Sequence, residues 1–313
     1  MYGTKQVQVV ALENMAWEET FEAWAKPPGI TEEAKCENSE KGVRKAIEAS
    51  VKLQQHDIKV FTQGSYRNRT NVRIESDVDT CVLCTNVYFT DFSMADGLTK
   101  ADAGLIDSAY SYSEFRNDVG EALRSHFGSG LVRRGNKAFD IRENTYRVDA
   151  DVVSCFTHRR YHKKPNGGFW FSEGTELQED TGKRIVNWPE QGYDNGVKKN
   201  EATNRCFKAV VRILKRLRDY MSEKGIPIAK DFPSFLIECL VWNVPNEGFG
   251  HSTRTADVRF VLAHMFNSTM AIEKCSEWGE INELKYLFRT GQPWTLLQAH
   301  SFASAAWDFL GFE

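Results

Sequence analysis

Apolar residues along this chain recur with one period, then another, and the changes mark out its elements. Trp17, Phe21 and Trp24 fall at i, i+4 and i+7, which predicts an amphipathic helix over Glu13–Lys26, stopped by Pro27-Pro28-Gly29. A second helix is expected to begin after Ser39, a good capping residue, with Val43, Ile47 and Val51 on one face. Ile58–Phe61 and Thr80–Cys84 are short apolar runs that read as strands. Phe115, Val119, Leu123 and Phe127 return to helical spacing and end at Gly128. Past Val132 the period becomes two: after a polar turn at Arg142–Thr145, Val148, Ala150 and Val152 alternate with Asp149, Asp151 and Val153. Gly167-Gly168, the aromatic run Phe169-Trp170-Phe171 and the Gly-, Lys- and Asn-rich stretch to Asn200 read as short strands and loops. From Thr203 the pattern is helical again. Phe207, Val210, Val211, Leu214 and Leu217 share one stripe, and Lys208, Arg212, Lys215 and Arg216 lie opposite, as one packed and one positive face. Phe260–Leu262 and the segment 302–312 extend this helical region.

The order predicts an α+β protein with a mixed-sheet lobe over 1–200, a helical lobe over 201–313, and the N-terminal helix packing across both. Composition narrows the class. At 41% apolar the 313 residues suffice for a substantial core, and a formal net charge of −3 excludes a protein that coats nucleic acid. The opening residues lack the pattern of a secretory signal. The longest candidate membrane span, Phe232–Val244, is interrupted by Ser234, Glu238 and Asn243. Seven scattered cysteines fit a reducing compartment, so a cytoplasmic protein that binds no membrane is expected. Cys81 and Cys84 read as core residues of a strand rather than as metal ligands.

The chemistry concentrates in Gly64-Ser65-Tyr66-Arg67-Asn68-Arg69-Thr70 and the following Glu75-Ser76-Asp77-Val78-Asp79. A glycine there lets the backbone close on an anion with its amides, a seat for phosphate. Asp77 and Asp79, two apart on a strand, project from one face, and hard cations take such carboxylates together with substrate phosphates. An Asp-x-Asp pair alone also suits a solvated turn or a calcium loop. The latter needs oxygen ligands where Cys81 and Val82 stand. Asp149 and Asp151 need a cation or the surface, because an unpartnered carboxylate is expensive to bury. Beside the Asp77/Asp79 strand, one of them would be the third ligand.

Strand, Gly-Ser, polar loop, Asp-x-Asp and buried strand resemble the active-site signature of the polymerase-β-like nucleotidyltransferases. Asp151, followed by Val152-Val153, resembles their third aspartate and is preferred to Asp149, although Ser154 stands where a proline is common. Cys206-Phe207-Lys208 and Ser234-Phe235 resemble the Lys and Ser that hold the donor triphosphate in enzymes like cyclic-GMP-AMP synthase and oligoadenylate synthase. Over about residues 39–245 the chain is similar to the bacterial cGAS/DncV-like nucleotidyltransferases.

That resemblance implies two lobes with the active site in the cleft between them. It implies a two-metal mechanism at Asp77, Asp79 and Asp151, with Mg²⁺ as the ion and Mn²⁺ able to substitute. Gly64, Ser65, Lys208 and Ser234 would bind nucleoside triphosphates. The product would be a cyclic dinucleotide, made with release of pyrophosphate, that an effector protein reads in anti-phage defence; no stable nucleic acid complex is expected. Asn166, beside Gly167-Gly168, is a candidate for base choice, with UTP and ATP as substrates; as a residue type it equally suits a turn. Arg159, Arg160, Lys163 and Lys164 could reach phosphates or form a solvated face. Two other classes compete: a nucleotidyltransferase acting on RNA, an antibiotic or a protein, and a non-catalytic nucleotide-binding module.

Overall fold

A computed structural model describes residues 17–27, 29–72 and 77–313. Residues 13–16 of the expected first helix, Pro28, and Glu75-Ser76 of the motif lie outside these. Contacts divide the chain into two units. The described residues up to 27, with 68–72 and 191–313, form one; 29–67 and 77–190 form the other. The division falls between Glu190 and Gln191, inside a helix, where the sequence suggested residue 200.

The second of these units is built on a mixed sheet. Strands β1 (Ile58–Thr62), β2 (Val78–Met94), β3 (Val132–Arg134), β4 (Ala138–Ile141) and β5 (Ala150–Lys163) lie in the order β1-β2-β5-β4-β3. β2 and β5 are parallel, and the other neighbours are antiparallel. β6 (Phe169–Gln178) continues from β5 through a hairpin and pairs with β7 (Arg184–Asn187). Helices α2 (Ile30–Glu48) and α4 (Tyr112–Phe127) supply Val43, Ile47, Phe115, Val119 and Leu123 to a core shared with Val60, Val82, Val152 and Phe156. α4 has a capping box, Ser111 with Glu114, and ends at Gly128 (φ 90°) as its pattern implied. A Cβ at Gly120 would meet the Phe139 ring at 2.6 Å, so a glycine lets α4 approach β4 closely.

Two expectations fail here. α2 begins nine residues before Ser39. That residue sits mid-helix and donates its hydroxyl to Val148 O (2.9 Å) and Lys35 O (3.2 Å), so it fastens the helix to the start of β5 instead of capping it. Val51 lies beyond the helix and is exposed.

The other unit is helical: α1 (residues 17–24), α5 (Pro189–Ala202) from Gln191 onward, α6 (Cys206–Glu223), α7 (Ser234–Trp242), α8 (Arg254–Thr269) and α9 (Leu296–Leu310). Phe207, Val210, Val211, Leu214 and Leu217 are all buried in its core, as the stripe predicted. Trp17, Phe21 and Trp24 pack on one another, and Trp17 and Trp24 also pack on Tyr220. α5 is a helix where loops were expected, and α6 buries part of the face read as positive. All seven cysteines are buried, and none is in a disulfide. No helix among the described residues is long and apolar enough to cross a membrane.

Candidate active site

At the start of β2 and β5 the sheet registers place carboxylates side by side. Asp79 pairs with Asp151 across the parallel ladder, and Asp140 of β4 pairs with Asp151 from the other side. In-register residues on neighbouring strands project from the same face, with strands about 4.8 Å apart. Asp79, Asp151 and Asp140 therefore form a row. Asp77 immediately precedes β2, and Val78 N–H donates to Asp149 O at 3.0 Å, so a second pair, Asp77 and Asp149, stands two residues further back. Val78, Ala150, Val152, Phe139 and Ile141 alternate with these acids and are buried, which turns the acids to the opposite face.

The acids crowd one another. Burial first, then the charges of Asp77 and Asp140 and a hydrogen bond with Asp140, push the Asp151 carboxyl up to about 6. Burial, then Asp149 and Asp140, also raise Asp77. Asp149 accepts a hydrogen bond from Glu143 N–H and so closes the β4–β5 turn. Between the two candidates for the third ligand, register favours Asp151, which stands directly beside Asp79. Asp140 was missed, although the same signal was present: an acid alternating with Phe139 and Ile141 in an apolar strand.

The donor set suits a hard divalent cation, for these are oxygen ligands alone, and a cation would relieve the repulsion that holds a proton on Asp151. Among the described residues no three His, Cys, Asp or Glu side chains are arranged to hold an ion.

Gly64 and Ser65 open a five-residue helix, α3 (Gly64–Asn68), where a polar loop was expected. Gly64 has φ 67°, and a Cβ there would fall 2.2 Å from Asp79 Oδ2, so glycine is needed both for the backbone and for contact with the carboxylate. Gln63 N–H donates to Asp79 O at 2.8 Å. α3 is anchored on its far side. Arg67 makes two bonds to Glu190 (2.9 and 2.7 Å), and the Tyr66 hydroxyl donates to Glu33 O at 3.2 Å.

Asn166 is not beside the acids. It sits exposed in the β5–β6 hairpin, where Gly167 N–H donates to Lys164 O. The strand runs from Asp151 to Lys163 before that turn, roughly 40 Å at 3.3 Å per residue. The structure thus places this asparagine in the hairpin turn at the other end of β5 from Asp151. Nearby, Arg159 pairs with Glu173 and Arg160 with Asp91, while Phe169 and Phe171 pack on Tyr161, so these residues serve the sheet.

In the helical unit, Lys208 and Ser234 begin facing helices α6 and α7. Lys208 is half-buried, with Nζ 5.7 Å from the Tyr193 ring centre, and its amide donates to Asn200 Oδ1 at 3.1 Å. Burial lowers its pKa, Glu238 opposes that, and Arg212 and Arg69 add to it. Ser234 Oγ accepts from Arg218 Nη1 at 2.8 Å, which leaves its own proton to donate elsewhere. Two other cations of this face are buried and bonded. Arg212 donates to Ala25 O and to Arg69 O, and Lys215 bonds Thr70 O (3.0 Å) and Glu238. Arg216 is exposed.

Comparison with known proteins finds relatives over nearly the whole chain. Residues 194–311 match the cGAS/DncV-like nucleotidyltransferase C-terminal helical domain. A cyclic dipyrimidine nucleotide synthase CdnE of Legionella pneumophila is 44% identical over 294 residues, 94% of this chain and 98% of the relative. The structure of Rhodothermus marinus CdnE c-UMP-AMP synthase with Apcpp and Upnpp superposes with TM-score 0.81 at 30% identity, over 94% of this chain and 96% of that one. Elizabethkingia meningoseptica CdnE cyclic dinucleotide synthase, with GTP and Apcpp, gives TM-score 0.77 at 32% identity, over 94% and 99%.

Proposed function

The chain belongs to the cGAS/DncV-like nucleotidyltransferase family, and from that premise we propose that it joins UTP and ATP into a cyclic dinucleotide with release of pyrophosphate, as a signal in anti-phage defence. It is a nucleotidyltransferase of the cyclic-nucleotide-synthase type. The observation that carries this reading is the row Asp79, Asp151 and Asp140, set across three adjacent strands with Asp77 behind it. The uridine assignment follows the relatives named for pyrimidine and UMP-containing products.

Members of the family use divalent metal ions. Here Asp77, Asp79 and Asp151 would hold two Mg²⁺, or Mn²⁺ in their place, while Asp140 and Asp149 tune their charge. Such ions, when bound, lower the pKa of an attacking ribose hydroxyl and stabilise charge on the α-phosphate and the departing pyrophosphate. The protein's own part is to orient. Gly64 lets the backbone lie against Asp79. The amides and hydroxyl of Gly64-Ser65, the Lys208 ammonium and the Ser234 hydroxyl would take the phosphates. No side-chain nucleophile is needed. One set of carboxylates serves both bonds of the ring if the linear intermediate is held and its second end attacks, an effectively intramolecular step.

The test is incubation of the purified protein with UTP, ATP and Mg²⁺ and no other acceptor, followed by alkaline phosphatase and mass spectrometry. A phosphatase-resistant product, with the mass of two nucleoside monophosphates less two waters, is expected. Linear, phosphatase-sensitive oligomers, or a product only when RNA, an antibiotic or a protein is added, would reject it.

A further inference from the structure

We propose that Ser39, with its neighbour Asn38, is a positioning residue for the aspartate row: the N-terminal half of α2 holds the starts of β2 and β5 together against the repulsion of the carboxylates they carry. The proposal rests on the assignment of those carboxylates to a metal ion. Asp79, Asp151 and Asp140 stand in register on adjacent strands, and Asp77 and Asp149 lie just before the first paired residues, Val78 and Ala150. Like charges at that spacing act to part the strands at the end where the ladder begins. The crowding is expressed in the acids themselves. After burial, the charges of Asp149 and Asp140 raise Asp77, and those of Asp77, Asp140 and Asp149 raise Asp151.

Three successive attachments oppose this. Val78 N–H donates to Asp149 O at 3.0 Å, the Ser39 hydroxyl to Val148 O at 2.9 Å, and Asn38 Nδ2 to Tyr146 O at 3.0 Å. Two of the three come from adjacent residues of α2. Between them lies a small core of its own, in which Cys36, Val78 and Val148 are buried together with Tyr66 of α3 packed on them. Val78 stands between Asp77 and Asp79, and Val148 precedes Asp149, so this core is one peptide away from three of the acids. Val43 and Ile47, later in the same helix, enter the main core instead. The helix thus serves the acids with its first turns and the sheet with its last. Ser39 is 1% exposed and mid-helix, where alanine would suit the helix better. What alanine cannot do is reach Val148 O, and a buried carbonyl left without a donor is costly.

The experiment is a double-substitution cycle on the metal-free full chain, read as thermal midpoint, followed by titration with Mn²⁺ as the probe ion. Ser39→Ala should lower the midpoint, and by about half as much or less in an Asp77→Asn background, because removing one charge lightens the load on the tether. A hydrogen bond with a purely structural role costs the same in both backgrounds. Ser39→Ala should also weaken Mn²⁺ about tenfold, as for residues that orient metal ligands, and Ser39→Thr, which keeps the hydroxyl, should recover binding. Val43→Ala should lower the midpoint and leave Mn²⁺ affinity unchanged. Equal midpoint losses in the two backgrounds, Mn²⁺ affinity unchanged in Ser39→Ala, or affinity lowered as much by Val43→Ala would each overturn the role of Ser39. Absence of Mn²⁺ binding by the unaltered protein would instead remove the metal assignment on which it rests.

Discussion

Five aspartates gather where β2, β5 and β4 run side by side, and four cations gather around the first turns of α6, but the two clusters are neutralised differently. The charges acting on Asp151 are those of Asp77, Asp140 and Asp149, so burial and repulsion together keep a proton on it up to about pH 6. Around α6 the excess is divided. Lys215 pairs with Glu238 and Arg212 donates to the carbonyls of Ala25 and Arg69, while Lys208 stays half-exposed. A cluster kept under repulsion waits for a counter-ion; a cluster partly answered by its own backbone is half scaffold and half site.

Substitutions should separate these cases. Asp77→Asn, Asp79→Asn and Asp151→Asn should each fold and lose at least about a thousandfold in turnover, because a neutral amide forfeits several kcal/mol of transition-state stabilisation through the cation. Near-normal rates in a folded Asp77→Asn/Asp79→Asn protein would remove the proposed site. Lys215→Met should act on stability instead. Leaving Glu238 buried without its partner is expected to cost about 3–5 kcal/mol in denaturant melts, and an unaltered midpoint would mean that water replaces the ammonium. Lys208→Ala should raise KM for nucleoside triphosphates about tenfold and Arg216→Ala should not, since only the first stands in the charged recess. Equal losses would class both as one solvated face.

A smaller effect concerns pH. The folded-state pKa of Asp151 is raised, so the stability this group contributes is full below its ordinary value near 3.8 and is lost as pH rises toward about 6 in metal-free protein. Asp151→Asn should flatten that part of the melting-temperature profile. A profile identical to that of the unaltered protein would show that the carboxyl is not crowded.

Much of this was legible in the sequence, for identifiable reasons. Glycine at the end of a strand and alternation of Asp with buried residues are local rules, so Gly64, Asp79 and the pair Asp149 and Asp151 could be picked out from spacing, while the preference for Asp151 came from the family resemblance. The face of α6 could not be read that way. Thr70 and Lys215 are 145 positions apart, and only the fold shows that a segment following the Gly-Ser helix covers a lysine that spacing leaves in water. α5 was hidden for another reason: Gly192, Asn195, Gly196 and Asn200 are poor helix formers, and tertiary bonds such as Asn195 Nδ2 to Ile281 O (2.8 Å) and Lys199 Nζ to Val244 O (2.7 Å) secure it. Ser39 shows the converse, a good capping residue whose hydroxyl is used by a neighbouring strand.

Titration with Mn²⁺, followed by the loss of the free-ion electron paramagnetic resonance signal, addresses the acid cluster directly. The protein is expected to bind the ion, the Asp79→Asn/Asp151→Asn variant to lose that binding while keeping its melting temperature, and Lys208→Ala to retain it. Equal Mn²⁺ binding by the unaltered protein and the double aspartate variant would contradict the assignment of these carboxylates to the metal.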